Sequence, residues 1–299
     1  MPVDSMSKGI LVGFLSFGLF ALGDSCVKAL AGRVAVFEVS FFVCVFAALL
    51  VPFMRPRGRS WIPALTPRRP KLVLLRATSG LLAGLLGIVA FTRLPFAEAY
   101  AIIFLAPCFV TILSTAVLGE KVPGLRWIPV ALGFGGVLLV VRPGFEQLVP
   151  AHLAALGVAL CSATTVLTLR ALAPVESGMS LLACSLALAL LVSSILMIPS
   201  FRWPSPGDFA LLAGAGLLSS AAQIGLMLAT RLAPANRVAP TQYSQIAWAV
   251  LIGAVAFAEF PDHLALAGIG LVVLSGLLTV LLPSPEPPVP TRLTGPPQD

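Results

Sequence analysis

A single acidic residue, Asp24, lies deep inside the first long apolar segment of the chain. A charged side chain at the centre of a membrane costs about 2.5 to 3.5 kcal/mol on insertion scales, so such a residue needs a partner or a function. Lys28 follows four residues later on the same helical face, and the two side chains can neutralise each other. Alternatively, Asp24 faces a cavity, where its carboxylate binds a substrate ammonium group or exchanges a proton. The sequence leaves both interpretations open.

The ninth apolar segment, residues 235–258, carries the densest group of polar side chains. On an ideal helix, Thr241, Ser244, Gln245 and Trp248 fall within an arc of about 100°. A stripe of this kind either lines a cavity or forms hydrogen bonds between helices. We predict a cavity lining, because an amide beside a broad indole face suits a planar or apolar-bodied ligand.

Two further side chains in this segment, Gln242 and Tyr243, point away from the stripe on an ideal helix. Pro240 precedes them and can kink the segment, because it removes a backbone hydrogen bond. Their directions are therefore open, and we keep Tyr243 as a candidate.

Polar side chains in two other segments complete the candidate site. Gln223 shares a helical face with Ser219 in the eighth segment, and Tyr100 lies near one end of the fourth, where Pro107 predicts a bend. The predicted substrate-binding residues are Asp24, Tyr100, Gln223, Thr241, Tyr243, Ser244, Gln245 and Trp248.

Small and hydroxyl residues in the third and sixth segments are interpreted as helix-packing groups. Gly80, Gly84 and Gly87 have the small-residue spacing that lets helices approach closely, and Ser162 and Thr165 recur at threefold spacing. We expect close contacts at all of these positions.

Enzymatic and metal chemistry find little support in the sequence. The acids are scattered singly, the two histidines stand apart, and no GxxxxGK[ST] nucleotide loop occurs. The cysteines have no paired spacing and are interpreted as small buried residues. We predict no catalytic residue, no metal and no cofactor. The cysteines are Cys26, Cys44, Cys108, Cys161 and Cys184.

Composition predicts an integral membrane protein. The 299 residues are 58% hydrophobic and 10% charged, with a mean hydropathy of +1.01, too apolar to cover a water-soluble domain. Residues at both odd and even positions of these segments are apolar, whereas strands of a membrane β-barrel alternate apolar with polar residues. The pattern therefore favours helices. Ten segments of roughly 20 residues are long enough to cross a bilayer. They lie at 9–30, 34–54, 72–92, 97–118, 124–142, 151–172, 179–199, 208–230, 235–258 and 263–282.

Short repeated motifs indicate that the chain is duplicated. Thr92-Arg93-Leu94 precedes Glu120, and Thr230-Arg231-Leu232 precedes Glu259 at nearly the same spacing. Lys28-Ala29-Leu30 ends the first segment, as Arg170-Ala171-Leu172 ends the sixth. Five spans per half make the second copy enter the bilayer upside down, and inverted repeats of this kind are typical of secondary transporters. The predicted fold is all-α, with ten transmembrane helices as two inverted five-helix repeats.

Basic residues predict the orientation. The longest loop carries the densest basic cluster, which marks it as cytoplasmic, and alternation then places both termini in the cytoplasm. The net charge of +7 is therefore interpreted as topology and not as a nucleic-acid surface. The cluster comprises Arg55, Arg57, Arg59, Arg68, Arg69 and Lys71.

The whole pattern resembles the drug/metabolite transporter superfamily, EamA type. The resemblance rests on ten short-looped helices in two halves, on Glu120 and Glu259 after the fourth helix of each half, and on the stretch 239–248. It covers residues 8–282 and implies a central cavity lined by segments 1, 3, 4, 6, 8 and 9. It also implies movement of amino acids and their derivatives outward, or of S-adenosylmethionine or riboflavin inward.

The resemblance sets the remaining predictions. Residues 1–8 form a cytoplasmic N-terminus, 9–142 and 151–282 the two EamA-like repeats, 143–150 a periplasmic linker, and 283–299 a disordered proline-rich cytoplasmic tail. We predict a multi-pass protein of the bacterial inner membrane that exports a small organic metabolite, an amino acid or its derivative, by alternating access.

Several alternatives stay open. They are import of a metabolite such as S-adenosylmethionine or riboflavin, a membrane-embedded enzyme, and a non-transporting partner subunit. The expected partners are a small-molecule substrate and the lipid bilayer, with no nucleic acid. The sequence also leaves proton coupling and a homodimer open.

Overall fold

A computed structural model of the chain describes residues 3–54, 67–118, 123–142 and 147–282. Within these ranges the secondary structure is entirely helical, with short 3₁₀ turns at Gly124–Arg126, Ile198–Ser200 and Ala239–Tyr243 and no strand. The α-helices are α1 (Val3–Ala29), α2 (Val36–Met54), α3 (Pro70–Arg93), α4 (Phe96–Ile103), α5 (Ala106–Leu118), α6 (Trp127–Val141), α7 (Pro150–Leu172), α8 (Gly178–Met197), α9 (Pro206–Leu232), α10 (Ala235–Val238), α11 (Ser244–Phe257) and α12 (His263–Leu281).

The ten predicted segments all correspond to helical structure, and two of them are interrupted. The fourth segment divides into α4 and α5 at Phe104 and Leu105, two residues before Pro107, where the sequence predicted a bend. The ninth divides into α10, the 3₁₀ turn that contains Pro240, and α11. Helices α1 to α6 of the first half therefore correspond, in the same order, to helices α7 to α12 of the second half.

Seven helical stretches in the described part of the chain are long and apolar enough to cross a membrane. They correspond to predicted segments 1, 3, 4, 6, 7, 8 and 10. Helices α2 and α6 are apolar but shorter, and the ninth segment is shortened by its 3₁₀ turn. These helices confirm the prediction of an all-α integral membrane protein. Each helix satisfies its backbone hydrogen bonds within itself, as the hydrocarbon core of a membrane requires.

Capping residues set where several helices begin. The side chains of Ser177, Ser205 and Asp262 accept hydrogen bonds from backbone N–H groups in the first turns of α8, α9 and α12. Proline at the first position starts α3, α7 and α9, where its missing N–H needs no partner.

Helix pairing follows the internal repeat. Helix α1 packs along α9, and the counterpart pair α7 and α3 packs in the same way. Helices α6 and α12, counterparts of each other, meet at two glycines: a Cβ on Gly268 would lie 2.5 Å from the carbonyl oxygen of Gly136. The contact of α1 with α9 in one half–half pairing therefore corresponds to the contact of α7 with α3 in the other.

The bundle has two distinct ends. At the Lys28 end, helices α1, α3, α6, α8 and α11 finish, and α2, α4, α7, α9 and α12 begin. At the Arg170 end, α2, α5, α7, α9 and α12 finish. The repeat acid Glu120 and the proline-rich tail lie outside the described residues.

Candidate functional site: a central cavity

A cavity of about 380 Å³ lies between α1, α2, α3, α4, α5, α7, α9 and the interrupted ninth segment. The implied lining by segments 1, 3, 4, 6, 8 and 9 is observed, and α2 joins it. The polar lining residues are Asp24, Ser40, Cys44, Tyr100, Ser162, Ser219, Gln242 and Gln245.

A hydrogen-bonded chain of three side chains crosses this cavity. The hydroxyl of Tyr100 donates to the carboxylate Oδ2 of Asp24. The amide Nε2 of Gln245 donates to the same hydroxyl oxygen over 3.0 Å. Because Tyr100 has one proton to donate and accepts with its oxygen, the chain runs from the amide through the phenol to the carboxylate. It joins α1, α4 and α11, which belong to different halves.

The ion pair between Asp24 and Lys28, one of the two interpretations that the sequence left open, is absent from the structure. The Lys28 ammonium instead lies 2.8 Å from Oε1 of Glu259 and donates to the carbonyl oxygen of Leu94 over 2.7 Å. It also lies 5.2 Å from the ring centroid of Phe257. Among the described residues, no Lys, Arg or His side chain forms a salt bridge with Asp24. The carboxylate is thus free to face a cation in the cavity.

Two aromatic rings lie beside Tyr100, the hydrogen-bond partner of the Asp24 carboxylate. The Phe91 and Tyr100 ring centroids are 5.1 Å apart, and those of Tyr100 and Phe104 are 6.2 Å apart. All three rings line the cavity. Aromatic faces attract cations, and a mostly apolar wall with a few placed polar groups is typical of small-molecule sites. The site therefore suits an organic cation with an apolar body.

Both helix interruptions lie beside the cavity. Phe104, at the break between α4 and α5, and Gln242, in the 3₁₀ turn before α11, are both lining residues. Irregular backbone at membrane depth is tolerated where it lines a cavity, and interrupted helices of this kind form the sites of many transporters.

Three of the eight predicted site residues, Asp24, Tyr100 and Gln245, meet in the cavity, and five do not line it. Gln223 is exposed on α9 and lies outside the lining. Thr241 donates to the carbonyl of Val238, and Ser244 donates to the carbonyl of Thr241.

The aromatic candidates of the ninth segment pack against neighbouring helices. Trp248 lies against Gly18 of α1, where an added Cβ would be 3.0 Å from Cε2 of the indole, and its ring centroid is 5.3 Å from that of Phe14. Tyr243 is buried against Gly276 of α12 and stacks near Phe104, at 5.5 Å between centroids. The polar residues predicted to share one face therefore have different surroundings. Thr241 and Trp248 pack against α1, whereas Gln245 lines the cavity.

Several cavity residues were missing from the sequence prediction. Gln242 faces the cavity because the 3₁₀ turn changes the helical phase, and Pro240 was the signal for that change. Ser162 and Ser219 were noticed as polar residues within spans. Ser40 and Cys44 of α2 carried no signal, since isolated small residues are common in any span.

A second cavity of about 310 Å³ lies at the Lys28 end, and its acids are already partnered. Glu98 lies 2.8 Å from Nε2 of His152, and Glu259 pairs with Lys28. The Arg142 guanidinium and a backbone N–H lower the pKa of Asp262 to about 2. In the described part of the chain, no cluster of three His, Cys, Asp or Glu side chains could hold a metal ion.

Comparisons with known proteins extend these observations. A family model described as the EamA-like transporter family matches residues 7–142 and again residues 149–281. The chain is 26% identical to a pseudopaline exporter of Pseudomonas aeruginosa, over 92% of this chain and 96% of that protein. It is also 26% identical to an S-adenosylmethionine uptake transporter of Rickettsia prowazekii, over 91% and 92%.

Two more distant likenesses agree with this result. A riboflavin transporter of Vibrio cholerae is 28% identical over 60% of this chain and 61% of its own length. A solved crystal structure matches 92% of this chain and 97% of its own chain with a TM-score of 0.65 and 18% identity. At that identity the structural likeness concerns the fold alone.

Proposed function

Because the chain belongs to the EamA-like transporter family, we propose that it exports an amine-bearing metabolite, an amino acid or its derivative, across the bacterial inner membrane by alternating access. Family membership makes it a multi-pass membrane transporter of a small metabolite and not an enzyme. The cargo, the direction and the membrane are the proposed parts.

The observation that carries the proposal is the chain of Asp24, Tyr100 and Gln245 across the central cavity. A carboxylate at membrane depth is costly, and no basic side chain among the described residues neutralises Asp24. A substrate ammonium group would supply the missing positive charge between aromatic walls. Proton exchange at Asp24 is the alternative use of the same group.

Alternating access requires two bodies that move around a fixed site. The two family matches, the five spans per half and the exchangeable helix pairs support two inverted repeats, 9–142 and 151–282, joined by a periplasmic linker at 143–150. The hydrogen-bonded chain joins residues of both repeats, so it lies where rocking motion would expose the site to either side.

The basic loops and the salt bridge at the Lys28 end support the proposed orientation and direction. The positive-inside rule places the Arg170 end and both termini in the cytoplasm, and the Lys28 end in the periplasm. At the Lys28 end, the salt bridge between Lys28 and Glu259 ties α1 to the end of α11. A cavity that this tie holds closed toward the periplasm would load from the cytoplasm, as export requires. Import is the second candidate, favoured by the relatives named as uptake transporters.

The decisive experiment is flux in proteoliposomes that contain only this chain. Radiolabelled amino acids, S-adenosylmethionine, riboflavin and opine-like amino-acid conjugates are tested in both directions at two pH values. We expect saturable flux of at least one amine-bearing compound, with loss of flux in Asp24→Asn and retention in Gln223→Ala. Exclusive flux of compounds without an amine would overturn the cargo class, and a pH-independent rate would exclude proton exchange at Asp24.

A further inference from the structure

A second charged side chain, Arg76, lies inside a membrane-spanning helix near the Arg170 end. It is six residues into α3, about 9 Å along the axis at 1.5 Å per residue. Its Nη1 donates to the backbone carbonyl of Thr165 on α7 over 2.8 Å. Among the described residues, no carboxylate lies within salt-bridge distance of this guanidinium.

Helical geometry directs Arg76 toward the cavity side of α3 and away from lipid. At 100° per residue it falls about 20° from Ala83 and Gly87, which line the cavity. The exposed residues Leu74 and Thr78 lie about 160° away, on the opposite face. On α7, the carbonyl partner Thr165 likewise falls about 20° from a cavity residue, Val158.

Two glycines between Arg76 and the cavity residue Gly87 leave the surface of α3 uncovered. A Cβ added to Gly80 or Gly84 would meet nothing within 4 Å, and both residues are exposed. The expectation that these two glycines pack tightly against another helix is therefore wrong. Gly87 does approach α7, with 3.9 Å from an added Cβ to Val158. Gly80, Gly84 and Gly87 therefore place no side chain on the surface of α3 between the cavity and the Arg76 guanidinium.

Arg76 and Thr165 also carry unused hydrogen-bonding groups. The Nε of Arg76 and the hydroxyl oxygen of Thr165 are buried, and neither has a hydrogen-bond partner in the part of the chain that the structure describes. Leaving such a group unsatisfied costs about 1–3 kcal/mol, more for a charged one. The planar guanidinium presents N–H groups in a fork that fits the two oxygens of a carboxylate.

We propose that Arg76 and Thr165 form an anion-recognition site at the Arg170-end mouth of the cavity, and that it binds the carboxylate of the cargo. The inference rests on the proposed function and narrows the substrate class to compounds that carry both an amine and a carboxylate. Phe91, beside the Asp24 site, lies 15 residues further along α3, about 22 Å on a helix. The two sites are therefore successive stations on one path: the carboxylate binds first at Arg76, and the amine then binds at Asp24.

The first test measures arginine modification in the full chain in proteoliposomes. Phenylglyoxal labels accessible guanidinium groups, and peptide mass spectrometry follows Arg76 and, as a control at the same end, the exposed Arg231. Matched compounds with and without a carboxylate are compared: lysine with cadaverine, histidine with histamine, and S-adenosylmethionine with its decarboxylated form. We expect at least one carboxylate compound to slow Arg76 labelling several-fold while its amine partner does not, with Arg231 unaffected.

Three results would overturn the site: an unlabelled Arg76, equal protection by acid and amine partners, or protection by inorganic phosphate alone. This readout does not require transport, so it separates the two proposals. If compounds cross the membrane but none protects Arg76, the anion site fails alone. If carboxylates protect Arg76 but nothing is transported, the proposed function fails alone.

The second test uses transport by Arg76→Gln, Arg76→Lys and the control Arg231→Gln. We expect Arg76→Gln to reduce the preference for the acid over its matched amine about 10- to 100-fold, the range of a lost charged hydrogen bond. Arg76→Lys should keep part of the preference, since it keeps the charge without the fork. Equal loss for acid and amine would instead indicate a structural tie between α3 and α7, and overturn the recognition role.

Discussion

The two ends of the helix bundle are held together very differently. At the Lys28 end, Glu259 accepts a hydrogen bond from the backbone N–H of Phe96 over 2.7 Å and pairs with Lys28. These contacts connect α1 and α11 with the start of α4. At the Arg170 end, Glu176 accepts a hydrogen bond from the backbone N–H of Arg69 over 2.8 Å, which connects α3 with the start of α8.

The contrast concerns how buried these contacts are. At the Lys28 end, a salt bridge between largely buried side chains and a part-buried hydrogen bond join α1, α11 and α4, whereas the contact at the Arg170 end is exposed and joins α3 to the start of α8. We therefore expect the cavity to be less accessible from the Lys28 end than from the Arg170 end. Breaking the ties should therefore change access, and altering the site between the ends should change binding.

Asp24→Asn should have the largest effect, because Asp24 is the acidic residue in the cavity lining. Loss of one charged hydrogen bond to a cationic substrate costs about 1.5–3 kcal/mol, which predicts a fall in transport of about 10- to 100-fold. The measurement is flux of the best substrate in proteoliposomes, with membrane abundance checked on gels. A fully active Asp24→Asn variant would remove Asp24 from the mechanism.

Tyr100→Phe should reduce apparent affinity at least about tenfold, since a hydrogen bond to a charged group contributes about 1.5–3 kcal/mol and this hydroxyl donates one to the Asp24 carboxylate. The ring packing against Phe91 should persist. Tyr243→Phe is a matched control, because that ring packs against α12 outside the cavity. Concentration dependence of flux checks both; equal effects in the two variants would contradict the assigned role of the Tyr100 hydroxyl.

Lys28→Met or Glu259→Gln should remove the salt bridge at the Lys28 end and make the cavity more accessible from that end. Only 10% of the Lys28 side chain and 27% of the Glu259 side chain are exposed, so we expect a population shift of several-fold, about 1 kcal/mol. Cys44 in the cavity wall is a native reporter, and a membrane-impermeant maleimide applied from the Lys28 side should label it faster.

Two controls accompany the access measurement. The charge-swapped double variant Lys28→Glu with Glu259→Lys should return labelling toward the original rate. Arg33→Gln removes the contact of Arg33 with Asp208, which lies between α1 and α9, helices that pack along their length. It should therefore leave labelling of Cys44 unchanged, and an equal increase there would refute a specific role for the Lys28 pair.

Asp262→Asn should give the smallest effect, visible in the pH dependence of stability. Arg142 holds the pKa of Asp262 at about 2, below its unfolded value of about 3.9. Its stabilisation is therefore fully present above pH 4 and is lost as pH falls toward 2. The Tm difference between the original chain and Asp262→Asn in detergent should stay constant from pH 8 to pH 5 and shrink below pH 4. A difference that varies between pH 8 and pH 5 would contradict this ionisation.

Much of the architecture could be predicted from the sequence. Apolar segment lengths predicted the helices, Pro107 and Pro240 marked the interrupted spans, and the repeated motifs anticipated two matching halves. These features are local, since a span's length and a proline's missing N–H act wherever the segment lies. Asp24 could also be singled out, because a charge inside an apolar run is costly in any arrangement.

The salt-bridge partner of Lys28 and the surroundings of the polar side chains on α11 depended on the tertiary structure. Lys28 pairs with Glu259, far away in sequence, and not with the nearby Asp24, because α11 ends beside the end of α1. The polar face of α11 divides between α1 and the cavity, because a 3₁₀ turn shifts its phase and α1 packs against Trp248. Helical periodicity fixes which residues share a face, but only the packing of neighbouring helices decides whether that face meets protein, lipid or a cavity.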